Sequence, residues 1–273
     1  MTERICIVTD EISRDLRVVK RFLTEHRLTA IELRCVGEKR VPDIERDDYE
    51  TLRMWTWNRE VKLVGVSPGL FKCSLDDAEE VGRHIEALLP WSIQMAIELG
   101  ADHLVAFTFD NPKGEPIDGR LVDLLGQAAE SCAEADVPLL LENEPGQYGG
   151  RPGEMRALLD AVDHENLFVN WDPTNGNEFG EEELRAGLTA LFPRVRHVHV
   201  KNGVLADGEI FAKCGPLRDG AIDWPSHLRH LKDLGYRGYL GIETHFEPVL
   251  EGSETVLREL REMAEQVGFF EES

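Results

Sequence analysis

The chain has 273 residues, 42% of them hydrophobic and 30% charged, which is ample for one large core, and its 52 acidic against 30 basic residues give a net charge of −22. That charge repels polyanions and argues against a nucleic-acid partner, because Lys and Arg at phosphates supply most non-specific affinity. No apolar stretch approaches the ~20 residues that span a bilayer, and the opening MTERICIVTDEIS runs straight into a strand pattern instead of a leader, so a cytoplasmic protein with no membrane partner is expected.

In chain order, short runs rich in β-branched and apolar residues, each closing on a polar residue, predict strands at ICIVTD (5–10), AIELRC (30–35), LVGVS (63–67), HLVAFT (103–108), PLLLEN (138–143), LFVNWD (167–172), RHVHV (196–200) and GYLGIE (238–243). Helical periodicity lies between and after them, over 15–26, 47–59, 76–99, 119–135, 153–162, 181–191, 224–234 and 252–267. Ser74 or Asp76 offers an N-cap before the longest helix, and Ser253 one before the last. Eight strands alternating with eight helices predict an α/β chain forming a single closed (β/α)8 TIM barrel over 1–273. The longest irregular stretch, 202–223, contains Gly203, Gly208, Gly215 and Gly220, and a loop of that length in a compact domain points to function. The five cysteines are odd in number, scattered and without a CxxC pair, and read as small packing residues of a reducing compartment.

In a parallel barrel the reactive groups come from the carboxyl ends of the strands, and Glu142, Asp172, His199 and Glu243 all occupy such ends, spaced 30, 27 and 44 residues apart. Three carboxylates and one imidazole make an oxygen-rich donor set suited to Mn²⁺ or Mg²⁺, with Co²⁺ possible, whereas a structural zinc prefers thiolates or more imidazoles. Solvated strand exits are the plainer alternative. His197, His199 and Lys201 share one face of their strand, which places His197 a layer deeper as a core histidine and Lys201 at the mouth, facing a substrate oxygen. Glu144 shares the face of Glu142 and is either a partner of the site or a turn carboxylate. Glu32 and Arg34 share a face, so they form an internal ion pair or Arg34 orients substrate. Lys72 is either a cation at the mouth or a solvated loop lysine, and Trp171 and Trp224 either wall the pocket or pack in the core.

The segments LLLENEPGQYGGRPGEM, NWDPTNGNEFG, VRHVHVKNG and CGPLRDGAIDWPSHLRHLKDLGYRGYLGIETHF resemble the xylose-isomerase-like TIM-barrel superfamily, in its sugar phosphate isomerase/epimerase branch, and the likeness extends over the whole chain. By position, the resemblance implies that the family's metal ligands fall on Glu142, Asp172, His199 and Glu243. The chain departs from it in the substrate shell: Asn175 stands where many relatives have a histidine, Asn202 where many have an acid, and Glu144 where relatives often have a histidine. Asn175 therefore joins Arg34, Lys72, Glu144 and Lys201 as an expected substrate contact. The multi-metal histidine cluster of the endonuclease branch is missing from the strand exits.

The chemistry expected is proton transfer at a carbon beside a metal-chelated carbonyl of a keto-sugar or related polyol, with Glu142 and Glu243 as both ligands and proton carriers. Such a protein is an isomerase or epimerase of a small carbohydrate. A lyase or dehydratase acting on a keto-sugar, keto-inositol or dehydroshikimate-like ring uses the same intermediate and remains open, as does a sugar-binding barrel without catalysis. The acidic composition favours a neutral sugar over a phosphorylated one, and amphipathic outer helices leave a homo-oligomer possible.

Overall fold

The structure is a computed structural model that describes residues 3–176, 180–206 and 209–271, with the main chain alone over 204–206 and 209–212. From the amino end it runs β1 (Ile5–Val8), α1 (Leu16–His26), β2 (Ala30–Leu33), a hairpin of β3 (Cys35–Val36) and β4 (Lys39–Arg40), α2 (Arg46–Trp57) and β5 (Lys62–Leu70). It continues with α3 (Ala78–Arg83), α4 (Leu89–Leu99), β6 (His103–Ala106), α5 (Gly119–Glu134), β7 (Leu139–Glu142), α6 (Pro152–Val162), β8 (Leu167–Trp171) and α7 (Gly180–Leu191). The last part is β9 (Val195–Val200), a hairpin of β10 (Gly203–Ala206) and β11 (Glu209–Cys214), α8 (Trp224–Asp233), β12 (Tyr239–Ile242) and α9 (Val249–Gln266). Strands β1, β12, β9, β8, β7, β6, β5 and β2 close, in that order, into a parallel barrel. The expected (β/α)8 barrel is the fold observed, because each apolar run is buried on both faces, by the barrel interior and by the helices outside.

The main core lies between strands and helices, where Val19, Phe22, Leu121, Leu125, Leu158, Leu188, Leu228 and Leu260 are all buried. Each such side chain stabilises the fold by roughly 1.5–3 kcal/mol relative to exposure. Inside the barrel the packing is partly polar. A Cβ at Gly65 would lie 2.7 Å from His103 Nε2, and one at Gly241 would lie 2.5 Å from His197 Nε2. Glycine on β5 and β12 thus leaves room for imidazoles carried by the neighbouring strands β6 and β9.

Four expectations about local structure are corrected. The helix expected over 76–99 runs continuously over 78–99 but is not α-helical throughout, with a π-turn over His84–Leu88 between α3 and α4, where the Leu89 N–H reaches back to His84 O. Pro90 follows directly and has no N–H to offer the preceding turn, so the ladder changes register there. Its N-cap is Asp77, which accepts from Glu80 N–H at 3.1 Å, and neither Ser74 nor Asp76 takes that role. Helix α9 starts at Val249, so Ser253 lies within it, and its hydroxyl donates to Glu11 O at 2.6 Å. The stretch 202–223 holds the β10–β11 hairpin, in which Gly203 pairs with Cys214, while Gly208 lies outside the described residues.

Candidate metal centre

Glu142 ends β7 and Asp172 follows β8, while His199 lies within β9 and Glu243 follows β12. All four are buried, and each offers a ligand atom within 4.8 Å of those of the other three. Opposite donors on an ion with bonds of about 2.1–2.2 Å stand roughly 4.3 Å apart, so the set needs to draw in by only tenths of an ångström. Its chemistry, three carboxylates and one imidazole, fits a divalent cation.

Each side chain is aimed by identifiable local contacts. Asp172 opens the turn DPTN, and its Oδ1 accepts Thr174 N–H at 2.8 Å and Asn175 N–H at 3.2 Å, leaving Oδ2 for Lys201 Nζ at 2.8 Å. The Asn143 amide clasps the Asp172 main chain, donating to its O and accepting from its N, both at 2.8 Å. Glu142 receives amide N–H groups from Asn170 and Asn175, each at 3.2 Å. Glu243 is spanned by cations, with Arg34 Nη1 at 2.5 Å on Oε1 and Lys201 Nζ at 2.9 Å on Oε2.

His199 is oriented from below. Its Nε2 lies 3.1 Å from Glu32 Oε2, which turns Nδ1 toward Glu142 at 3.5 Å and Glu243 at 3.4 Å. A carboxylate on the far nitrogen is the usual device for fixing the tautomer and direction of a metal-ligating imidazole. Burial alone would push this imidazole's pKa down, but Glu32, Glu142 and Glu243 outweigh it and hold the value well above the usual histidine range. Burial likewise opposes the charge on Lys201 and is outweighed by Asp172, Glu243 and Glu142. Glu243 is held well below the carboxylate range, because Lys201 and His199 more than offset its burial. Burial and the neighbouring Glu142 raise Glu144 instead, and Lys72 only partly compensates.

The expected substrate contacts meet in one cavity of about 490 Å³ above the four ligands, which Arg34, Lys72, Glu144, Asn175 and Lys201 all line. That volume suits a small ligand. Lys72 Nζ pairs with Glu144 at 2.7 Å and lies 4.4 Å above the Phe107 ring. Two expectations about partners change. Arg34 forms an internal ion pair, but with Asp10 at 3.0 Å, Glu11 at 2.6 Å and Glu243, and Glu32 is not among its partners, since Glu32 points down the barrel to His197 and His199. Lys201 lines the cavity but is buried and tied to Asp172 and Glu243, so it lies deeper than the mouth. Trp171 and Trp224 are core residues, whose ring N–H groups donate to His227 Nε2 at 3.1 Å and Lys201 O at 2.9 Å. Asn202 donates to Leu217 O and Ile222 O and accepts from the Gly203 and Ile222 N–H groups, a role an acid could not fill because it lacks the donors.

Sequence reasoning missed Glu32 as the partner of His199, Arg40 as part of the cavity wall, and His245, which also lines the cavity and sits 3.5 Å from Glu243. Glu32 and Arg34 share a face in the IELR segment, and that parity hid the first. HF after GYLGIET was the available signal for the third.

Over residues 21–267 the chain matches the family model described as xylose isomerase-like TIM barrel. Inosose dehydratase of Klebsiella pneumoniae is 29% identical over 44% of this chain and 44% of its own length, so the chain matches under half the length of that curated relative. Among solved structures, the probable 3-DHS dehydratase AsbF of Bacillus anthracis aligns with a TM-score of 0.78 at 18% identity, covering 94% of this chain and 98% of that one. An L-ribulose 3-epimerase aligns with a TM-score of 0.77 at 15% identity, covering 97% and 96%. Among the described residues no helix is long and apolar enough to cross a membrane.

Proposed function

Because the chain belongs to the xylose isomerase-like TIM-barrel family, we propose that it is a divalent-metal-dependent enzyme that moves a proton at the carbon beside the carbonyl of a small polyhydroxylated substrate, as an isomerase or epimerase. The observation that carries this reading is the convergence of Glu142, Asp172, His199 and Glu243 within 4.8 Å beneath the cavity. These four would hold the ion, with Mn²⁺ or Mg²⁺ as the expected occupant. When bound, such an ion supplies positive charge that lowers the cost of negative charge developing on a carbonyl oxygen.

The protein's own groups divide the remaining work. Glu142 faces only amide donors and His199, so it can take up a substrate proton without stranding a buried cation. Protonating Glu243 would remove the one carboxylate that Arg34 and Lys201 share, so its main part is to hold those cations against the substrate's other flank. Asn175, donating to Glu142 at 3.2 Å and reaching Glu144 at 3.4 Å, sets the spacing of the two carboxyl groups.

A second reading is favoured by Glu144. Burial and the charge of Glu142 shift the Glu144 carboxyl toward the protonated form, the direction a general acid needs, and a proton passed from it to a departing hydroxyl would make the reaction a dehydration. Incubation of metal-loaded protein with candidate ketoses and ring ketones in D₂O separates the two. Solvent deuterium gained without loss of water supports the isomerase or epimerase, and loss of water supports the dehydratase. Glu142→Gln should lower turnover by about 10²- to 10⁴-fold in either case, the range typical of a lost general base. Undiminished turnover in both Glu142→Gln and Glu243→Gln, with the barrel still folded by circular dichroism, would sink the assignment.

A further inference from the structure

The cavity is lined by five cations, Arg34, Arg40, Lys72, Lys201 and Lys213, in a chain that is strongly acidic overall. Three are already neutralised: Arg34 by Asp10, Glu11 and Glu243, Lys72 by Glu144, and Lys201 by Asp172 and Glu243. Lys213 is exposed and solvated. Arg40 is different. It is half-buried, and among the described residues no carboxylate lies within ion-pair distance of it. Its guanidinium is fixed by neutral acceptors, with Nε donating to Ser67 O at 3.0 Å and Nη2 to Ser67 Oγ at 3.3 Å. Among the described residues Nη1 has no acceptor.

The surroundings hold this group in place. Arg40 ends β4, where it pairs with Cys35, and its planar head lies against the main chain at Gly69. There φ is +80° and a Cβ would stand 3.1 Å from Arg40 Cζ, so glycine serves both the turn and the close approach. Burial pushes the guanidinium's pKa down, and the charge of Arg34 adds to that. Asp10 and Glu243 offset this only from beyond contact distance, so a half-buried cation beside a like charge is left to take its contacting anion from a ligand.

We infer that Arg40 is the anion-binding residue of the substrate subsite and that its ligand is a carboxylate, so the substrate is a hydroxylated keto acid in place of the neutral sugar that net charge suggests. The inference rests on the proposed metal-dependent reaction, which places the ketone over the four ligands while Arg40, on the β4–β5 side of the cavity, holds the acid end. A guanidinium's planar fork matches a carboxylate in two parallel hydrogen bonds. Among the described residues Arg40 is the one cation of this wall that is both held in place and without a carboxylate partner, since Lys213 is exposed, and a single fixed fork matches a singly charged acid.

Calorimetric titration with two ring ketones that differ in the acid group, 3-dehydroshikimate and an inosose, tests it on both metal-stripped and Mn²⁺-loaded protein. The carboxylate ring should bind the native chain more tightly, and Arg40→Gln should weaken it by about 10- to 100-fold, the value of a charge-assisted hydrogen bond, with a much smaller loss for the inosose. Arg40→Lys, which keeps the charge without the fork and serves if Arg40→Gln does not fold, should lower the carboxylate's affinity by a smaller factor. Equal binding of the two rings to the native protein, an Arg40→Gln loss shared equally between them, or displacement of the carboxylate by orthophosphate at lower concentration than by acetate would each overturn the inference. Absence of turnover with both rings counts against the proposed reaction alone, since the affinity ratio is read without turnover.

Discussion

Two clusters of the same residue types lie one above the other in this barrel, and only one opens to a ligand. The upper is Glu142, Asp172, His199 and Glu243, and the lower is Glu32, His103 and His197. Both bring carboxylate and imidazole atoms within reach of a common ion. The upper borders the cavity through Glu142 and Glu243, and Lys201, Arg34 and Asn175 complete its charge and hydrogen bonds. The lower is sealed, with Glu32 and His197 fully buried, and Glu32 Oε1, His103 Nε2 and His197 Nδ1 find no hydrogen-bond partner among the described residues. Glu32 Oε2 joins the two layers, standing 3.1 Å from Nε2 of both His197 and His199. Ligand-type residues are therefore not enough to define a site, and what separates these layers is access and the cations that balance the carboxylates.

The largest expected effect breaks the upper layer outright. Asp172→Ala should weaken Mn²⁺ binding by more than about 100-fold, beyond the range of an outer-shell change, as read by equilibrium dialysis. The native chain should take up a single ion, and two ions per chain would erase the distinction between the layers. A smaller effect tests the link between them. Glu32→Gln keeps the shape but loses the anion that turns His199, so metal affinity should fall by about 10- to 100-fold while the melting profile stays cooperative. If Glu32→Gln binds metal as the native chain does, the lower layer has no part in orienting the upper.

The smallest effect is confined to the lower layer. Burial, with His197 adding to it, pushes the His103 pKa down to about 3. The unfolded chain titrates this group near 6.5, so between roughly pH 6.5 and 3 the unfolded state binds the extra proton. Stability should therefore fall as pH drops through that window, by about 1.4 kcal/mol per unit from this group. Urea melts at pH 5.5 and 4.5 should show a difference that shrinks by about that amount in His103→Gln. An unchanged difference would mean that His103 already carries its proton in the folded barrel.

The barrel was legible because each strand is a doubly buried apolar run that stops on a polar residue, a pattern local enough to read from one sequence. The convergence of Glu142, Asp172, His199 and Glu243 was legible for the same reason, since in a parallel barrel a strand end is already a direction in space. The π-turn at His84–Leu88 was not, because apolar spacing continues through it and Pro90 was the only mark. Nor were the partners of Glu32 and Arg34, which shared parity on one strand but turned to opposite companions 167 and 209 residues away. Arg40 lies on a two-residue strand too short to carry any period, and its meaning depends on which carboxylates fail to reach it.

The Asn202 side chain grips both ends of the excursion that leaves β9 and returns to α8, through Gly203 at one end and Leu217 and Ile222 at the other. A Cβ at Gly220 would fall 2.1 Å from that amide, so the knot has no spare room. Whatever is threaded between its ends is mechanically insulated from the barrel. The β10–β11 hairpin can thus be lengthened, shortened or exchanged without loading the strands that carry the carboxylates, and selection has at this rim a replaceable part with which to change what the cavity admits while leaving the carboxylates beneath it in place.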